Sequence, residues 1–243
     1  MIGIGKPRIF LCTPTYGTIH PATAHALFDP TYSADPRSVI VAHRETYNCS
    51  ILLASFQVML GKALDCRDEG TATHFCMLHS DVSPASWFLN DMLGLMTIRN
   101  ANLISVVLPL KHHDRQHTST AIGKIDDPWA RPRHLTLDDC SKLPATFSTQ
   151  HCCDESELLL VSTGLWLADL TWEGWDDFRF TTEVRWNRAH NGKRMTETTP
   201  EDWNMSRYLY ANGSRYYATT AVKADHIGQD YWPNSVERRA VDL

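Results

Sequence analysis

The sequence predicts an α/β protein, a single domain in which helices cover both faces of a mostly parallel central sheet. Two observations support this fold class. Short apolar runs alternate with segments of helical periodicity over residues 1–111, as expected for strand–helix–strand units. The chain has 243 residues, of which 43% are hydrophobic and 21% are charged. That length and composition suit one α/β domain with a sizeable core.

Apolar runs in the first half predict four buried strands, each followed by polar residues. They are Ile9–Cys12, Val39–Ala42, Phe75–Leu78 and Leu103–Leu108. Between the second and third runs, "TYNCSILLASFQVMLGKALD" repeats apolar residues at helical spacing, which predicts a helix packed on the sheet. Pro84 is suited to open a further helix, expected around Trp87 to Met96.

The second half is less regular. The stretch that begins "KHHDRQHTSTAIGK" is polar and rich in turn formers, which predicts a long functional loop. The run "SELLLVSTGLWLADL" predicts an apolar strand interrupted at Gly164, where a ligand could approach the backbone closely. Residues 200–212 are expected to form a short helix, with Thr199 as its cap, and the strand Tyr216–Val222 follows.

Composition excludes several classes of protein. The formal net charge is −5 and no long block of like charge occurs, so a strongly electrostatic partner is not indicated, although a local basic groove remains open. No apolar run approaches the ~20 residues that a membrane span needs. Seven cysteines are an odd number and favour free thiols, and hence the cytoplasm. The "QHCCDE" segment lacks the CxxC spacing of a structural zinc site.

Polar side chains follow the predicted strands where parallel sheets bind ligands, at the carboxyl ends. Thr13 to Tyr16, His43 to Arg44, His79 to Asp81 and Lys111 all fall there. The "HSD" tripeptide at 79–81 presents a histidine and a carboxylate to the expected crevice. A structural alternative is that Asp81 caps the helix expected near Pro84.

The order of five motifs resembles the GT-A type glycosyltransferases, especially the small family-two-like enzymes of bacteria and phages. The motifs are "TPTYG", "HSD", "STG", "PED" and "DHIG", and together they span most of the chain. The resemblance implies a Rossmann-like GT-A fold, with nucleotide-sugar binding in residues 1–111 and the acceptor and catalytic groups in residues 112–243. It also implies a metal-dependent, inverting transfer of a sugar from a nucleotide-sugar donor to an acceptor hydroxyl.

In this family an Asp-x-Asp motif at the end of a central strand holds a divalent cation, usually Mn²⁺ or Mg²⁺, against the donor diphosphate. Asp81 matches the last Asp of that motif. His79 occupies the first Asp position, a departure that still allows it to ligate the metal or contact the ribose. His226, in "KADHIG", lies where the family often supplies a late histidine to the same cation, with Asp225 as a neighbouring candidate.

The "TPED" segment has two interpretations. Thr199 and Asp202 fit a capping box, which is a structural device without catalytic content. The resemblance instead implies that the general base lies in this acidic pair, with Asp202 as the base and Glu201 as its neighbour or a substrate ligand. The helix N-terminus would lower the pKa of Asp202, whereas burial against Trp203 would raise it.

The resemblance also implies the donor and acceptor contacts. A nucleotide-sugar site would include Thr13, Pro14, Thr15, Tyr16, Arg44, His79, Ser80 and Gly164. The acceptor is expected to be a hydroxymethylated pyrimidine in DNA, as in phage-type DNA modification, or alternatively a saccharide or other small molecule. The expected acceptor residues are Lys111, Arg115, Lys124, Trp129 and Trp203, of which the three cations would contact phosphates if the acceptor is DNA.

Two further classes stay open. A nucleotidyltransferase-like enzyme could use a related sheet, although such enzymes usually begin with a Gly-rich phosphate loop containing a basic residue, which "TPTYGTIHPATAHAL" lacks. A non-catalytic nucleotide-sugar-binding module is the other possibility, because a fold can be kept without its activity.

Overall fold

A computed structural model of the chain describes residues 5–111, 116–189, 191–228 and 231–234. The strands within these ranges are β1 Arg8–Thr15, β2 Ile40–Asn48, β3 His74–Leu78, β4 Val82–Pro84, β5 Leu103–Val106, β6 His117–Lys124, β7 Arg133–Thr136, β8 Thr146–Phe147, β9 Glu157–Leu160, β10 Leu165–Asp169, β11 Glu183–Arg188, β12 Arg194–Thr199, β13 Tyr216–Thr219, β14 Ala224–Ile227 and β15 Tyr231–Pro233. The helices are α1 Pro21–Phe28, α2 Pro30–Ser33, α3 Leu52–Asp68, α4 Phe88–Arg99, α5 Leu137–Ser141, α6 Thr149–Cys152 and α7 Glu201–Ala211.

The central sheet has seven strands in the order β2-β1-β3-β10-β5-β13-β8. The pairings β2 with β1, β1 with β3 and β5 with β13 are parallel. β10 is antiparallel to both its neighbours, and β8 is antiparallel to β13. Five strands therefore run in one direction, which confirms a mostly parallel sheet in an α/β protein. Strands from both halves of the chain build it.

Helices cover both faces of this sheet, as predicted. Along β1, Phe10 and Cys12 point into one apolar cluster, which also contains residues of α3 and α7. Ile9 and Leu11 point into a second cluster, shared with α1 and α4. Alternate strand residues face opposite sides of a sheet, so a strand buried on both sides is continuously apolar. This is why the strands in the first half are visible in the sequence.

The loop predicted after Lys111 is wrong in part, because two strands lie within it. β6 pairs with β7 and with β9 to form a three-stranded antiparallel sheet. Thr118 and Thr120 are fully buried in β6, and the hydroxyl of Thr118 donates to the carbonyl of Leu135 over 2.8 Å. The bonded hydroxyl of Thr118 can occupy a core position, whereas that of Thr120 is buried without a partner. These two polar residues interrupt the apolar pattern that would mark the strand in the sequence.

The predicted single strand around Gly164 is two strands in two sheets. β9 lies in the three-stranded sheet, whereas β10 lies at the centre of the seven-stranded one. The chain changes sheets at Ser162–Gly164. A Cβ atom on Gly164 would lie 2.4 Å from Cδ1 of Leu108, so the close packing at this crossing favours glycine.

Pro84 does not open a helix. It ends β4, which pairs with β14 in a three-stranded sheet completed by β15, and the helix that follows begins at Phe88. Asp81 therefore lies too far from the start of α4 to cap it. Helix α7 agrees closely with the expected residues 200–212, and the part of the chain that the structure describes contains no helix long and apolar enough to cross a membrane.

Several boundaries differ from those predicted. β1 extends through Thr15, β2 continues to Asn48 so that His43 and Arg44 lie inside it, and α3 begins only at Leu52. β5 and β13 end earlier than expected, at Val106 and Thr219. Strand ends are set by which backbone groups find partners on neighbouring strands, and such partners are distant in sequence.

Candidate functional site

The "HSD" turn lies at the carboxyl end of β3, next to the crossing at Gly164. The backbone N–H of His79 donates to the Gly164 carbonyl over 2.8 Å, and the N–H of Val82 donates back to the His79 carbonyl over 3.1 Å. The Asp81 carbonyl accepts from the N–H of Ile227 over 2.7 Å. These bonds tie the turn to both β10 and β14, so the Asp81 side chain is held at the edge of the sheet.

The Asp81 carboxylate has two basic neighbours. Its Oδ2 atom contacts the ammonium of Lys111 and lies 3.8 Å from Nε2 of His226. Burial alone would raise the pKa of Asp81, but the interactions with His226 and Lys111 outweigh it and hold the pKa well below the usual range. Asp81 is therefore ionised near neutral pH.

His226 is oriented by the backbone. Its Nδ1 atom lies 2.8 Å from the carbonyl oxygen of Pro109, an arrangement in which Nδ1 carries the proton and donates it, and Nε2 faces Asp81. A divalent cation makes ligand bonds of about 2.1 Å, so two atoms up to about 4.2 Å apart can share one ion. The pair formed by Asp81 and His226 fits such an ion, and an imidazole with its second nitrogen held in this way is typical of metal ligands.

His79 does not complete a three-residue ligand set. Its ring packs on Phe56 with the ring centroids 5.2 Å apart, and its Nε2 atom is shielded from solvent without a hydrogen-bond partner. Burial lowers the pKa of His79 to about 4, so the ring is neutral near pH 7. Among the residues described, no group of three or more His, Cys, Asp or Glu side chains is arranged to hold a metal ion.

The acidic pair at the start of α7 approaches the same edge. The hydroxyl of Thr163 donates to Oε1 of Glu201 over 3.4 Å, and Thr163 adjoins Gly164, whose carbonyl holds the backbone of His79. Two consecutive residues thus link the "PED" helix to the "HSD" turn. The sequence predicts these motifs in one site but not this link, because the link depends on the point at which the chain passes from one sheet to the other.

The capping box expected at Thr199 is not formed. Pro200 is the residue before α7, without a side-chain cap, and the Thr199 hydroxyl instead donates to the Pro128 carbonyl over 3.5 Å. Oδ1 of Asp202 accepts from the adjacent N–H of Trp203 over 2.8 Å. Burial, with a smaller effect from the charge of Glu201, raises the pKa of Asp202 to about 7. Of the two opposing effects expected at this helix start, burial is the stronger.

The expected donor residues lie mainly in the end of β1. Thr13, Pro14 and Thr15 are buried within the strand, and the hydroxyl of Thr13 is shielded from solvent without a partner. Tyr16, which follows the strand, is 80% exposed. Ser80 contributes its carbonyl to the N–H of His20 over 2.9 Å. Of these residues, Tyr16 has the side chain most accessible to a ligand.

Arg44 is not at the edge where it was expected. It pairs with Leu11 in the middle of β2, and Leu11 in turn pairs with Cys76, so Arg44 lies level with the middle of β3 and not with the "HSD" turn. It lines a separate hollow with Pro30 and Val41. The expected contact with the donor phosphate or base is therefore unsupported, because β2 is longer than the apolar run that revealed it.

The two described lysines of the expected acceptor patch do not lie together. Lys111 contacts Asp81, whereas Lys124 pairs with Glu157 over 3.0 Å at the far end of β6. The eight residues of β6, from His117 to Lys124, span about 23 Å, and this strand separates the two lysines. Arg115 lies outside the described residues.

The two tryptophans expected to contact the acceptor have other partners. The Arg185 guanidinium lies 4.3 Å from the centroid of the Trp129 ring. Trp203 is partly buried against the apolar cluster of the three-stranded sheet, and its ring centroid is 5.9 Å from that of His134. Asp225, the neighbour of His226, lines a different hollow with Tyr32, because successive strand residues point to opposite faces.

Comparison with known proteins extends to the fold alone. No protein-family model matches the chain, and no curated protein matches its sequence. Among solved structures it is similar to A197 from STIV, with a TM-score of 0.52 and 10% identity over 97% of this chain and 98% of that one.

Two other solved structures are similar at lower scores. One, from Entamoeba histolytica, is assigned as a UDP-N-acetylglucosamine pyrophosphorylase (TM-score 0.41, 6% identity, 82% of this chain and 71% of that one). The other is a UDP-glucose phosphorylase from Trypanosoma brucei (TM-score 0.36, 10% identity, 88% and 49%). The chain spans about half the length of the trypanosome protein. The similarity to A197 is one of overall fold alone.

Proposed function

We propose that the protein is a metal-dependent, inverting glycosyltransferase that moves a sugar from a nucleotide-sugar donor to an acceptor hydroxyl. One observation carries this proposal. The ionised Asp81, facing His226, and the acidic pair at the start of α7 are joined at one edge of the sheet through Thr163 and Gly164. Such an arrangement supplies ligands for a cation that would stabilise a diphosphate leaving group at one end, and a base for an acceptor at the other.

The donor end would stabilise the departing nucleoside diphosphate. Asp81 and His226 would hold Mn²⁺ or Mg²⁺, and a divalent cation there neutralises negative charge on the phosphate oxygens. The ammonium of Lys111 contacts Asp81. When the donor binds, this ammonium would leave the carboxylate and donate to a phosphate oxygen instead. Tyr16, exposed beside the end of β1, would pack against the nucleoside.

The acceptor end would remove a proton. The acceptor oxygen forms a bond to the anomeric carbon of the donor sugar as the bond from that carbon to the diphosphate oxygen breaks. The hydroxyl proton passes to the carboxylate of Asp202, whose pKa of about 7 suits a base working near neutral pH. Glu201, held by Thr163, would orient the acceptor.

For the acceptor we propose the hydroxymethyl group of a modified pyrimidine in DNA, with a saccharide or other small molecule as the alternative. A base within a duplex must leave the stack before its substituent can react. The test is transfer of labelled sugar to hydroxymethylcytosine DNA, hydroxymethyluracil DNA, unmodified DNA and free saccharides, with a panel of donors and Mn²⁺. Labelling confined to saccharides would end the DNA assignment but keep the glycosyltransferase.

A second candidate is a nucleotidyltransferase-like enzyme, which the Lys111–Asp81 contact favours because a lysine ammonium at this edge could bind the phosphates of a nucleoside triphosphate. The two activities differ in their products. A glycosyltransferase releases nucleoside diphosphate from a nucleotide sugar, whereas a nucleotidyltransferase releases pyrophosphate from a triphosphate and a sugar phosphate. Donor binding without either product would favour the third possibility, a non-catalytic binding module.

A further inference from the structure

Strands β11 and β12 form a two-stranded ribbon that pairs with no other strand among the residues described. All six residues of β11 are exposed. Six residue pairs join the two strands, so the ribbon extends about 20 Å. An isolated two-stranded ribbon is marginally stable by itself in water. We therefore consider whether this ribbon binds a partner.

The two faces of the ribbon differ in chemistry. Residues directly opposite in an antiparallel pair share a face, and the register therefore assigns each side chain. The inner face consists of Glu183, Arg185, Asn187, Met195, Glu197 and Thr199. On this face Nε of Arg185 donates to Oε2 of Glu197 over 2.7 Å, and the same guanidinium covers Trp129. The outer face consists of Val184, Trp186, Arg188, Arg194, Thr196 and Thr198.

The outer face has two cationic side chains and none that is acidic. Arg188 lies directly opposite Arg194, and like charges in this position destabilise a strand pair. An anion between them would relieve the repulsion. Beside them Trp186 is 73% exposed and Val184 is 64% exposed. Together with Asn187, Trp186 and the two arginines line a shallow hollow.

We infer that the outer face binds double-stranded DNA, with Arg188 and Arg194 on backbone phosphates and Trp186 against the edges of the bases or sugars. A two-stranded ribbon fits the major groove, which is about 12 Å wide. Guanidinium groups suit phosphate oxygens, and an exposed indole adds an apolar contact. The inference rests on the proposed function and deepens it by assigning the surface that holds the DNA acceptor.

The charge of the ribbon is opposite to that of the whole chain. Among the described residues of 183–199, four cationic side chains stand against two acidic ones, Glu183 and Glu197, both on the inner face. The formal net charge of the chain is −5. A local cationic face on an acidic protein directs a polyanion to that face. The net charge of the chain does not exclude such a local basic surface.

The ribbon also leads directly into the candidate site. β12 ends at Thr199, Pro200 follows, and α7 begins with Glu201. The hydroxyl of Thr199 bonds to the carbonyl of Pro128, which attaches the base of the ribbon to the protein. DNA on the outer face would therefore lie along the ribbon that leads to Asp202, the carboxylate that would deprotonate the acceptor, with Arg188 and Arg194 at the end of the ribbon farthest from Thr199.

The test is binding of a fluorescent 20-base-pair duplex, measured by anisotropy over a series of salt concentrations. Arg188→Ala combined with Arg194→Ala should weaken binding at least tenfold. It should also flatten the log–log salt dependence by up to about 1.8, since each phosphate contact contributes about 0.9. Trp186→Ala should weaken binding several-fold, and Trp186→Phe should restore most of it because an aromatic ring remains.

Arg37→Ala with Arg99→Ala is the matched control. It removes the same charge from exposed positions outside the ribbon and should bind DNA like the wild type. Donor-induced thermal stabilisation, measured on every variant, verifies the fold and the donor site. The inference is overturned if wild-type protein does not bind duplex DNA, if the ribbon variant binds as the wild type does, or if the control loses as much affinity.

Two other outcomes separate this inference from the proposed function. Binding to phosphatidylserine vesicles in place of DNA would assign the face to a membrane surface and overturn the inference, while leaving the glycosyltransferase proposal intact. Ribbon-dependent DNA binding by a protein that transfers no sugar to any acceptor would support the ribbon assignment and contradict the proposed function.

Discussion

Nε2 of His226 lies 3.8 Å from Oδ2 of Asp81, and the other nitrogen of the same ring is held by the Pro109 carbonyl. The backbone bond fixes the ring orientation, and with it the nitrogen that faces the carboxylate. β14 supplies the histidine, the turn after β3 supplies the aspartate, and the segment after β5 supplies the carbonyl. Three parts of the chain thus build one pair of possible metal ligands.

Asp81→Asn should abolish the Mn²⁺-dependent stabilisation of the protein by nucleoside diphosphate, because an amide oxygen is a weaker ligand than a carboxylate for a hard cation. Saturating ligand at 100 times its Kd adds about 2.7 kcal/mol to the free energy of unfolding, so the loss is measurable by thermal unfolding with and without metal. His226→Ala should also reduce the stabilisation, and His79→Ala should reduce it less.

Asp225→Asn is the matched control for Asp81→Asn. Asp225 adjoins His226 on β14 but points into a different hollow, so its loss should leave the metal-dependent stabilisation unchanged. Metal-dependent stabilisation of wild-type size in Asp81→Asn would remove Asp81 from the metal site.

Asp202→Asn should leave donor binding intact and reduce sugar transfer by about 10²-fold or more, since it removes the carboxylate that accepts the proton. In the wild type the base must be ionised, so kcat should rise with pH through about 7, the pKa raised by burial and Glu201. Steady-state kinetics between pH 5.5 and 8.5, with donor affinity measured separately, test both statements.

Thr199→Val tests whether Thr199 caps α7, with the free energy of unfolding as the measurement. Because Thr199 bonds to Pro128 and does not cap α7, this nearly isosteric change should destabilise the protein by less than the ~1 kcal/mol typical of a lost cap.

Sugar transfer by Asp202→Asn at the wild-type rate would exclude Asp202 as the base.

The amino-acid sequence predicts the parts of the fold in which one physical signal dominates. Strands buried on both faces, such as that around Phe75, are continuously apolar, and α7 has a clear start and stop. β6 is not evident in the sequence because a buried threonine, Thr118, satisfies its hydroxyl within the core and interrupts the apolar pattern. The position of β10 between β3 and β5 is not predictable from the sequence, since strand order depends on contacts distant in sequence.

The sequence predicts which residues lie at the candidate site better than it predicts which of them contact one another. Asp81, His226 and Glu201 lie near the expected edge, because strand ends and helix starts are visible in sequence. Lys111 was expected to face the acceptor and instead contacts Asp81. Its position directly after a predicted strand indicates that Lys111 lies at this edge of the sheet. The direction of its long side chain, however, depends on its neighbours in space.

Gly164→Ala should destabilise the protein by roughly 1–3 kcal/mol, because the new Cβ would lie 2.4 Å from Cδ1 of the buried Leu108 and force the core to shift. The shift would also disturb the carbonyl that holds the backbone of His79. Donor-induced stabilisation should therefore weaken as well. Chemical denaturation, with and without donor, measures both effects.

Gly94→Ala is the control for this change. Gly94 lies inside α4, and a Cβ there meets nothing within 4 Å. Alanine should stabilise that helix by about 0.5–1 kcal/mol, since it loses less backbone entropy on folding. If both alanine variants change stability in the same direction, the close approach at Gly164 is not the cause.

Asp202 and His79 should make opposite contributions to the pH dependence of stability between pH 4 and 6.5. Burial raises the pKa of Asp202 to about 7, so the folded state binds more protons than the unfolded state and stability falls as pH rises. Burial lowers the pKa of His79 to about 4, so the unfolded state binds more protons and stability falls as pH drops below 6.5. At about 1.36 kcal/mol per pH unit, the two slopes largely cancel in the wild type.

Single variants should reveal the two slopes. Measured by urea denaturation in metal-free buffer, Asp202→Asn should leave the His79 dependence, with the free energy of unfolding decreasing by up to about 3 kcal/mol from pH 6.5 to pH 4 relative to the wild-type curve. His79→Gln should leave the Asp202 dependence, with stability decreasing as pH rises from 4 towards 7. The comparison uses slopes and not absolute stabilities, so a constant loss caused by either substitution does not affect it. Parallel curves for the wild type and both variants would mean that neither group titrates as its burial implies, and Asp202 would then lack the raised pKa that suits it to be the base.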